Sequence, residues 1–342
     1  MTRVAIVGEG VVGSSTALAL KKLRPNVKTT IFHDRPFEKA CSAMPAGLFR
    51  FDNLNDRADA KTTFDWYAEL CRQKPGTVTG VKLVSGHIQS DDLEALKGQE
   101  RAYGDIVYNF RYLTEREIES LFPDPSRYAI HFTSYAAEGN QYVPFLKKQL
   151  LSAGVVFVRR TINSIDELAE EGFDVIVNCA GLNAGKLAGD DDGVYPIRGV
   201  AFEVEAPWHK HFNYRDFSTF TIPKNDCIIV GSVKQANRND TEVTDEDRHE
   251  IWERYGKLHP AMKVRKLSFH FSQRINSIYG GYGSKNPQRM VWLATGSSIY
   301  TCRGSGEDDE KWKDVYVSSS LWAWWSWLYR RLGYCLSCCS SY

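Results

Sequence analysis

The sequence predicts an α/β protein built around a parallel sheet, and three features carry that expectation. Val4-Ala5-Ile6-Val7 is apolar at every position and rich in β-branched residues, the pattern of a strand buried on both faces. It feeds Gly8-Glu9-Gly10-Val11-Val12-Gly13 and then an Ala- and Leu-rich helical stretch over residues 14–23. After Pro25, a second strand over 28–32 runs into the acidic Asp34. Strand, glycine turn, helix, strand and terminal acid, in that order, form the βαβ unit that binds dinucleotides.

Each part of the unit has a physical task. Gly8 permits the tight turn, Gly10 lets a pyrophosphate approach the backbone, and Gly13 lets the helix lie close to the strand. The free N–H groups at the helix start, around Val11 and Val12, present partial positive charge to phosphates. Asp34 can accept hydrogen bonds from ribose hydroxyls. NAD and FAD both fit this much of the chain. Residues 155–158 read as another buried strand, and residues 174–181 as a parallel strand ending in Gly181, beyond whose carboxyl end ligands sit in such sheets.

A chain of 342 residues can bury two packed lobes. With 43 Lys and Arg against 42 Asp and Glu, bulk charge argues against a nucleic-acid partner but leaves room for a local basic pocket. The chain has no run of about 18 apolar residues and opens straight into a strand, so a soluble, intracellular, cytoplasmic protein with no membrane contact is expected. Cys41, Cys71, Cys179 and Cys227 are widely spread and suit ordinary buried thiols in a reducing compartment. Cys335, Cys338 and Cys339 imitate a metal spacing, but one isolated cluster does not make a site, and no metal is expected.

The next stretch separates the two cofactors. Asp34-Arg35-Pro36-Phe37 and then Cys41-Ser42-Ala43-Met44-Pro45-Ala46-Gly47-Leu48-Phe49-Arg50 resemble the flavin loop of the FAD-dependent D-amino-acid oxidase family, D-aspartate oxidase branch. Thr133-Ser134-Tyr135 to Gly139, Tyr142-Val143-Pro144-Phe145-Leu146, Pro196-Ile197-Arg198-Gly199 and the phrase from Ala206 to Phe212 are similar to that family too. The resemblance implies a Rossmann-type FAD-binding lobe with a parallel sheet, over about 1–50 and 130–195. An antiparallel β-rich substrate lobe would take about 51–129 and 196–263. It also implies that Asp34, Arg35, Cys41, Ser42 and Leu48 touch FAD, with Gly47 in the segment that passes the isoalloxazine ring. Read without the family, that loop is simply a connection.

What the family implies for chemistry is oxidative deamination: hydride leaves Cα of a D-amino acid for the flavin, and dioxygen reoxidises it to give peroxide. The flavin carries that chemistry, so no acid or base residue is sought. Choice of an acidic side chain should come from fixed positive charge, because Arg pairs with carboxylates in bidentate fashion. Arg50, Arg215 and Lys234 are the candidates by resemblance, and Phe220 stands where many relatives place a substrate-facing Tyr. A glycine or sarcosine oxidase is the alternative enzyme. Oligomeric state is not legible.

Residues 264–342 depart from the family. Two of its phrases, Gly-Leu-Arg-Pro-Gly-Arg and His-Tyr-Gly-His-Gly-Gly, are missing, and Trp322-Ala323-Trp324-Trp325-Ser326-Trp327 stands near the end instead. Trp has the single codon TGG, so reading from the second base turns each Trp into Gly. That shift lets residues 321–329 be read as Tyr-Gly-His-Gly-Gly-His-Gly-Tyr-Thr, with the glycines forced by Trp and the rest dependent on codon choice, and it permits the other phrase at residues 292–297. The expectation is an out-of-frame or intron-derived tail, such as alternative splicing leaves. The alternative function is then a non-catalytic product lacking the C-terminal active-site segments. The family's usual C-terminal peroxisomal tripeptide is also absent, the sequence ending Ser340-Ser341-Tyr342.

Overall fold

A computed structural model describes residues 1–260 apart from Pro45, Asn53 and residues 190–192. The expectations for residues 264–342 lie outside the described residues. In chain order the elements are β1 (Arg3–Val7), α1 (Val11–Leu23), β2 (Lys28–His33), α2 (Arg57–Gln73), α3 (Gly76–Thr79), β3 (Val81–Ser90) and α4 (Leu93–Tyr103). Then come β4 (Tyr108–Tyr112), α5 (Glu115–Leu121), β5 (Tyr128–Ala137), α6 (Gly139–Ser152), β6 (Val156–Arg159), α7 (Ile165–Glu170), β7 (Val175–Asn178) and α8 (Ala184–Ala188). Last are β8 (Ile197–Val204), β9 (Phe212–Arg215), β10 (Thr219–Pro223), β11 (Ile228–Ala236) and α9 (Asp245–Leu258).

Two sheets organise these elements. The first is parallel, in the order β6-β2-β1-β7. Side chains alternate across it as pleating requires. Val4 and Ile6 join α1 and α6 in the main core, while Ala5 and Val7 meet Ile165, Leu168 and Leu187 on the other face. Helices on both faces explain why β1 is apolar at every position after Arg3.

The second sheet has seven strands in the order β4-β5-β3-β9-β10-β11-β8. It is antiparallel as expected except between β3 and β9, which run parallel. β9 enters after the chain has built the nucleotide lobe, so no hairpin links it to β3, and a long crossover permits the parallel pairing. The expected lobe boundary near 130 falls inside β5, which pairs with β3 along its whole length, from Val81↔Ala137 to Ser90↔Tyr128. α6, which follows β5, packs against α1 in the main core.

One face of this sheet merges with the main core. The other carries α9, whose Ile251, Tyr255 and Leu258 pack on Val200, Phe202 and Val204 of β8 and Ile228, Val230 and Val233 of β11. An ion pair between Arg198 and Asp247 (Nη2–Oδ2 2.8 Å), side chains only 1% and 2% exposed, ties β8 to α9. Among the described residues, no helix is long and apolar enough to cross a membrane.

Candidate cofactor cradle and anion pocket

The cradle begins where β1 ends. Gly8 has φ +116°, and a Cβ there would lie 2.2 Å from the carbonyl oxygen of Cys179, just after β7. A Cβ on Gly13 would lie 1.8 Å from the Gly8 carbonyl oxygen, so only glycine lets α1 start this close to the turn. α1 has no side-chain N-cap and no acid in its first turn, which leaves its positive end available to phosphate. Gly181 has φ +61°, and a Cβ built there would meet nothing within 4 Å. These features fit a dinucleotide: a positive helix end, a turn with glycine at its closest approaches, and open space past β7.

Ser42 joins the flavin-loop candidates to this turn. Its hydroxyl accepts the Val11 N–H at 3.0 Å, and a Cβ on Gly10 would lie 3.0 Å from that oxygen. Cys41, half-buried, opens the short turn over Cys41–Ala43. Gly139 allows α6 to begin against it, since a Cβ there would sit 1.9 Å from the Ser42 carbonyl oxygen. Gly47, at φ +46°, and Leu48 are laced to β5. The Ala137 N–H donates to Gly47 O at 3.1 Å, and the Phe49 N–H to Tyr135 O at 2.8 Å. Asp34 and Arg35 lie beyond β2, where the Arg35 Nε–H donates to Asp34 Oδ1 at 2.8 Å. That hydrogen bond holds the Asp34 carboxyl below its ordinary range, so it stays an acceptor.

Glu9, between the two glycines, is buried, and the sequence reading assigned it nothing. Its carboxylate meets Lys147 Nζ of α6 at 2.8 Å and His33 Nδ1 at 3.3 Å. An acid in a phosphate-binding turn would repel its ligand unless neutralised, and Lys147 does so.

Arg50 leaves the same loop three residues after Gly47 and enters a second site. Its side chain is 15% exposed. Both terminal nitrogens contact both Asp52 carboxylate oxygens, at 3.0–3.2 Å. The rings of Phe217 and Tyr214 lie 5.0 and 5.8 Å from the guanidinium. Phe220 stacks on Tyr214, centroids 5.1 Å apart and planes 26° apart. Gly231 opposite leaves Phe220 its space, since a Cβ there would lie 2.9 Å from the ring. Lys234 keeps part of its surface in solvent, while its ammonium lies near Arg50 and Asp52. Loss of hydration and the nearby Arg50 push its ammonium down to about 8, against the pull of Asp52.

The structure thus brings Arg50, Phe220 and Lys234 together, but not Arg215. On β9, Phe212 and Tyr214 face the main core, so Asn213 and Arg215 project from the other side. There the Arg215 Nη1 donates to Asp124 Oδ2 at 2.7 Å and to the Asp124 carbonyl oxygen at 2.9 Å. The expectation that Arg215 lines the pocket is corrected on that ground. Strand alternation in Tyr214-Arg215 held the signal that only one of the two could do so. Cys179 is a buried thiol with the Thr16 hydroxyl 3.7 Å from its sulfur, whereas the thiols of Cys41, Cys71 and Cys227 are only half-buried.

Comparison with known proteins matches residues 3–298 to the family described as FAD dependent oxidoreductase. A D-aspartate oxidase 2 of Caenorhabditis briggsae is 58% identical over 267 residues, 78% of this chain and 81% of that one. A D-aspartate oxidase 1 of Caenorhabditis elegans is 59% identical over 265 residues, 78% of this chain and 79% of that one. Among solved structures, glycine oxidase from Geobacillus kaustophilus aligns with a TM-score of 0.60 at 18% identity, covering 77% of this chain and 80% of that one.

Proposed function

This chain belongs to the FAD dependent oxidoreductase family, and from that premise we propose that it oxidatively deaminates D-aspartate, with D-glutamate as the longer analogue. The products are the 2-oxo acid, ammonia and hydrogen peroxide. Bound FAD supplies the hydride acceptor that no side chain can replace. The residues of the glycine turn and of the 41–48 loop would hold it, through the α1 N-terminus, Gly181, Gly47 and Leu48.

The observation that carries the substrate reading is the paired cationic site of Arg50 and Lys234, walled by Tyr214, Phe217 and Phe220. Rings around a guanidinium exclude water and strengthen its attraction for a carboxylate. With the side-chain carboxylate held there, the substrate's α-carbon is oriented rather than left to diffuse. Glycine oxidases share the fold at low identity, which says nothing of substrate. Glycine also has no side chain for Arg50 and Lys234 to hold. The extent of identity with D-aspartate oxidases favours a working oxidase over a non-catalytic relative.

The test is one purification of the full chain, a visible spectrum, and a peroxide assay on D-aspartate, glycine and sarcosine. Flavin absorbance with peroxide release greatest on D-aspartate is expected. Turnover greatest on glycine or sarcosine, or flavin with no turnover at all, would overturn the reading.

A further inference from the structure

Arg50 is held in an unusual way for a residue meant to seize a ligand: it is already paired. Both Asp52 oxygens engage its two terminal nitrogens, at 3.0–3.2 Å. A guanidinium, however, carries five N–H donors in a rigid fork and can pair with carboxylates along more than one edge. Asp52 occupies the end of the fork. The remaining edge includes Nε, which is buried and has no hydrogen-bond partner among the described residues. A buried, unmet donor costs free energy, and Nε of Arg50 is such a donor.

Asp52 is itself fixed from behind. Gln99 of α4 donates its amide to Asp52 Oδ1 at 2.7 Å, and the Tyr103 hydroxyl donates to Gln99 Oε1 at 2.8 Å. Gln99 and Tyr103 are both buried. The amide is therefore oriented by the tyrosine, the carboxylate by the amide, and the guanidinium by the carboxylate.

We propose that Asp52 is a positioning residue for substrate selection: it holds Arg50 by the fork end, so that the Nε edge receives the substrate's side-chain carboxylate beside Asp52 rather than in its place. This deepens the D-aspartate reading and rests on it. Charge supports the same arrangement. Arg50 and Lys234 against Asp52 leave one net positive charge, and one added carboxylate neutralises the site.

The test uses the full chain with its flavin, in three forms: unmodified, Asp52→Ala and Gln99→Met. Steady-state kinetics are measured on D-aspartate and on D-asparagine, whose amide replaces the side-chain carboxylate. Calorimetric binding of malonate is measured alongside. Asp52→Ala is expected to raise KM for D-aspartate and Kd for malonate about tenfold, the scale of one charge-assisted contact. It should leave kcat within about twofold and D-asparagine kinetics nearly unchanged, as fits loss of uniform binding. Gln99→Met should shift the same quantities in the same direction by less, and it covers the case in which Asp52→Ala does not fold.

A fall in KM or Kd in either variant would mean that Asp52 competes with the substrate, and the proposal fails. Equal losses on both substrates would mean a merely structural role, and it fails again. Should the unmodified protein not favour D-aspartate, the substrate reading fails. Malonate binding then still decides the Arg50 geometry on its own.

Discussion

A lysine held near a half-buried arginine gives up its proton more readily than one in water, and Lys234 is in that position. Its ammonium is pushed down to about 8 by loss of hydration first and by Arg50 second, while Asp52 opposes the shift. The cationic form, which the proposed function assigns to the substrate carboxylate, is present below that value and disappears above it. KM for D-aspartate should therefore hold steady from about pH 6.5 to 7.5 and climb beyond about pH 8, with kcat changing less. Lys234→Arg keeps its charge throughout and should flatten the climb, whereas Lys234→Met should raise KM several-fold already at neutral pH. Kinetics across that range in the three proteins decide it. A climb that persists in Lys234→Arg would assign the titration to another group. Phe220 stacks on Tyr214 beside Arg50, a contact that calls for a ring and is indifferent to a hydroxyl on it.

At the scale of elements, the glycine turn and α1 behave as one piece. Gly13→Ala would place a methyl group 1.8 Å from the Gly8 carbonyl oxygen, so α1 must move away from β1. Overpacking of this kind costs about 1–3 kcal/mol, and the shifted helix end would face the cofactor wrongly. Thermal denaturation should show the loss, and flavin absorbance per chain should fall with it. Retention of full flavin and an unchanged Tm would refute the packing argument. This element was readable beforehand because every part of it is local: the strand, the glycines and the helix are adjacent in sequence, and β1, α1 and β2 lie where the pattern put them. The second sheet was not readable in the same way, because β3 and β9 are brought together by a crossover that no local pattern encodes. Arg215 fell to the same limit at finer grain, since its strand was recognised but not the face it presents. The Arg198–Asp247 pair is an element-level clamp of another kind. Removing one partner of a buried pair costs about 3–5 kcal/mol, so Asp247→Ala should loosen α9 from β8 and lower Tm. Asp247 is held down to about 2, against the penalty of burial, by Arg198 and the Thr244 backbone N–H. Its contribution is present above the ordinary aspartate value and is lost only as pH falls through about 2.

Over the molecule as a whole, the large sheet does different work on its two faces. One face supplies Tyr214, Phe220 and Lys234 to the anion pocket, while the other carries α9 and a row of histidines. His87 lies 5.0 Å from His131 and 6.4 Å from His211 between ring centroids, and His209 lies 4.9 Å from His259. Asn213 bridges the two groups: its Oδ1 lies 3.4 Å from His87 Nδ1, and its Nδ2 lies 3.1 Å from His259 Nε2. Burial pushes His87, His209 and His259 each down to about 4, helped by neighbouring histidines at the first two. Arg111 adds to the pressure on His87 and His131. His87, His209 and His259 are therefore neutral near pH 7, and the unfolded chain, with ordinary histidines, binds more protons between about 4 and about 6.5. Stability must then rise with pH across that window, being complete above about 6.5 and draining away as pH falls towards 4. Each proton involved contributes a slope of at most about 1.4 kcal/mol per pH unit. Removing one of these titrating rings should flatten the curve whatever it does to the stability maximum, which separates linkage from ordinary damage. Denaturant unfolding of the full chain at stepped pH should give a shallower dependence in His87→Gln than in the unmodified protein. Parallel curves would mean that the histidine face does not set the acid limit of this fold, and that carboxylates such as Asp247 set it instead.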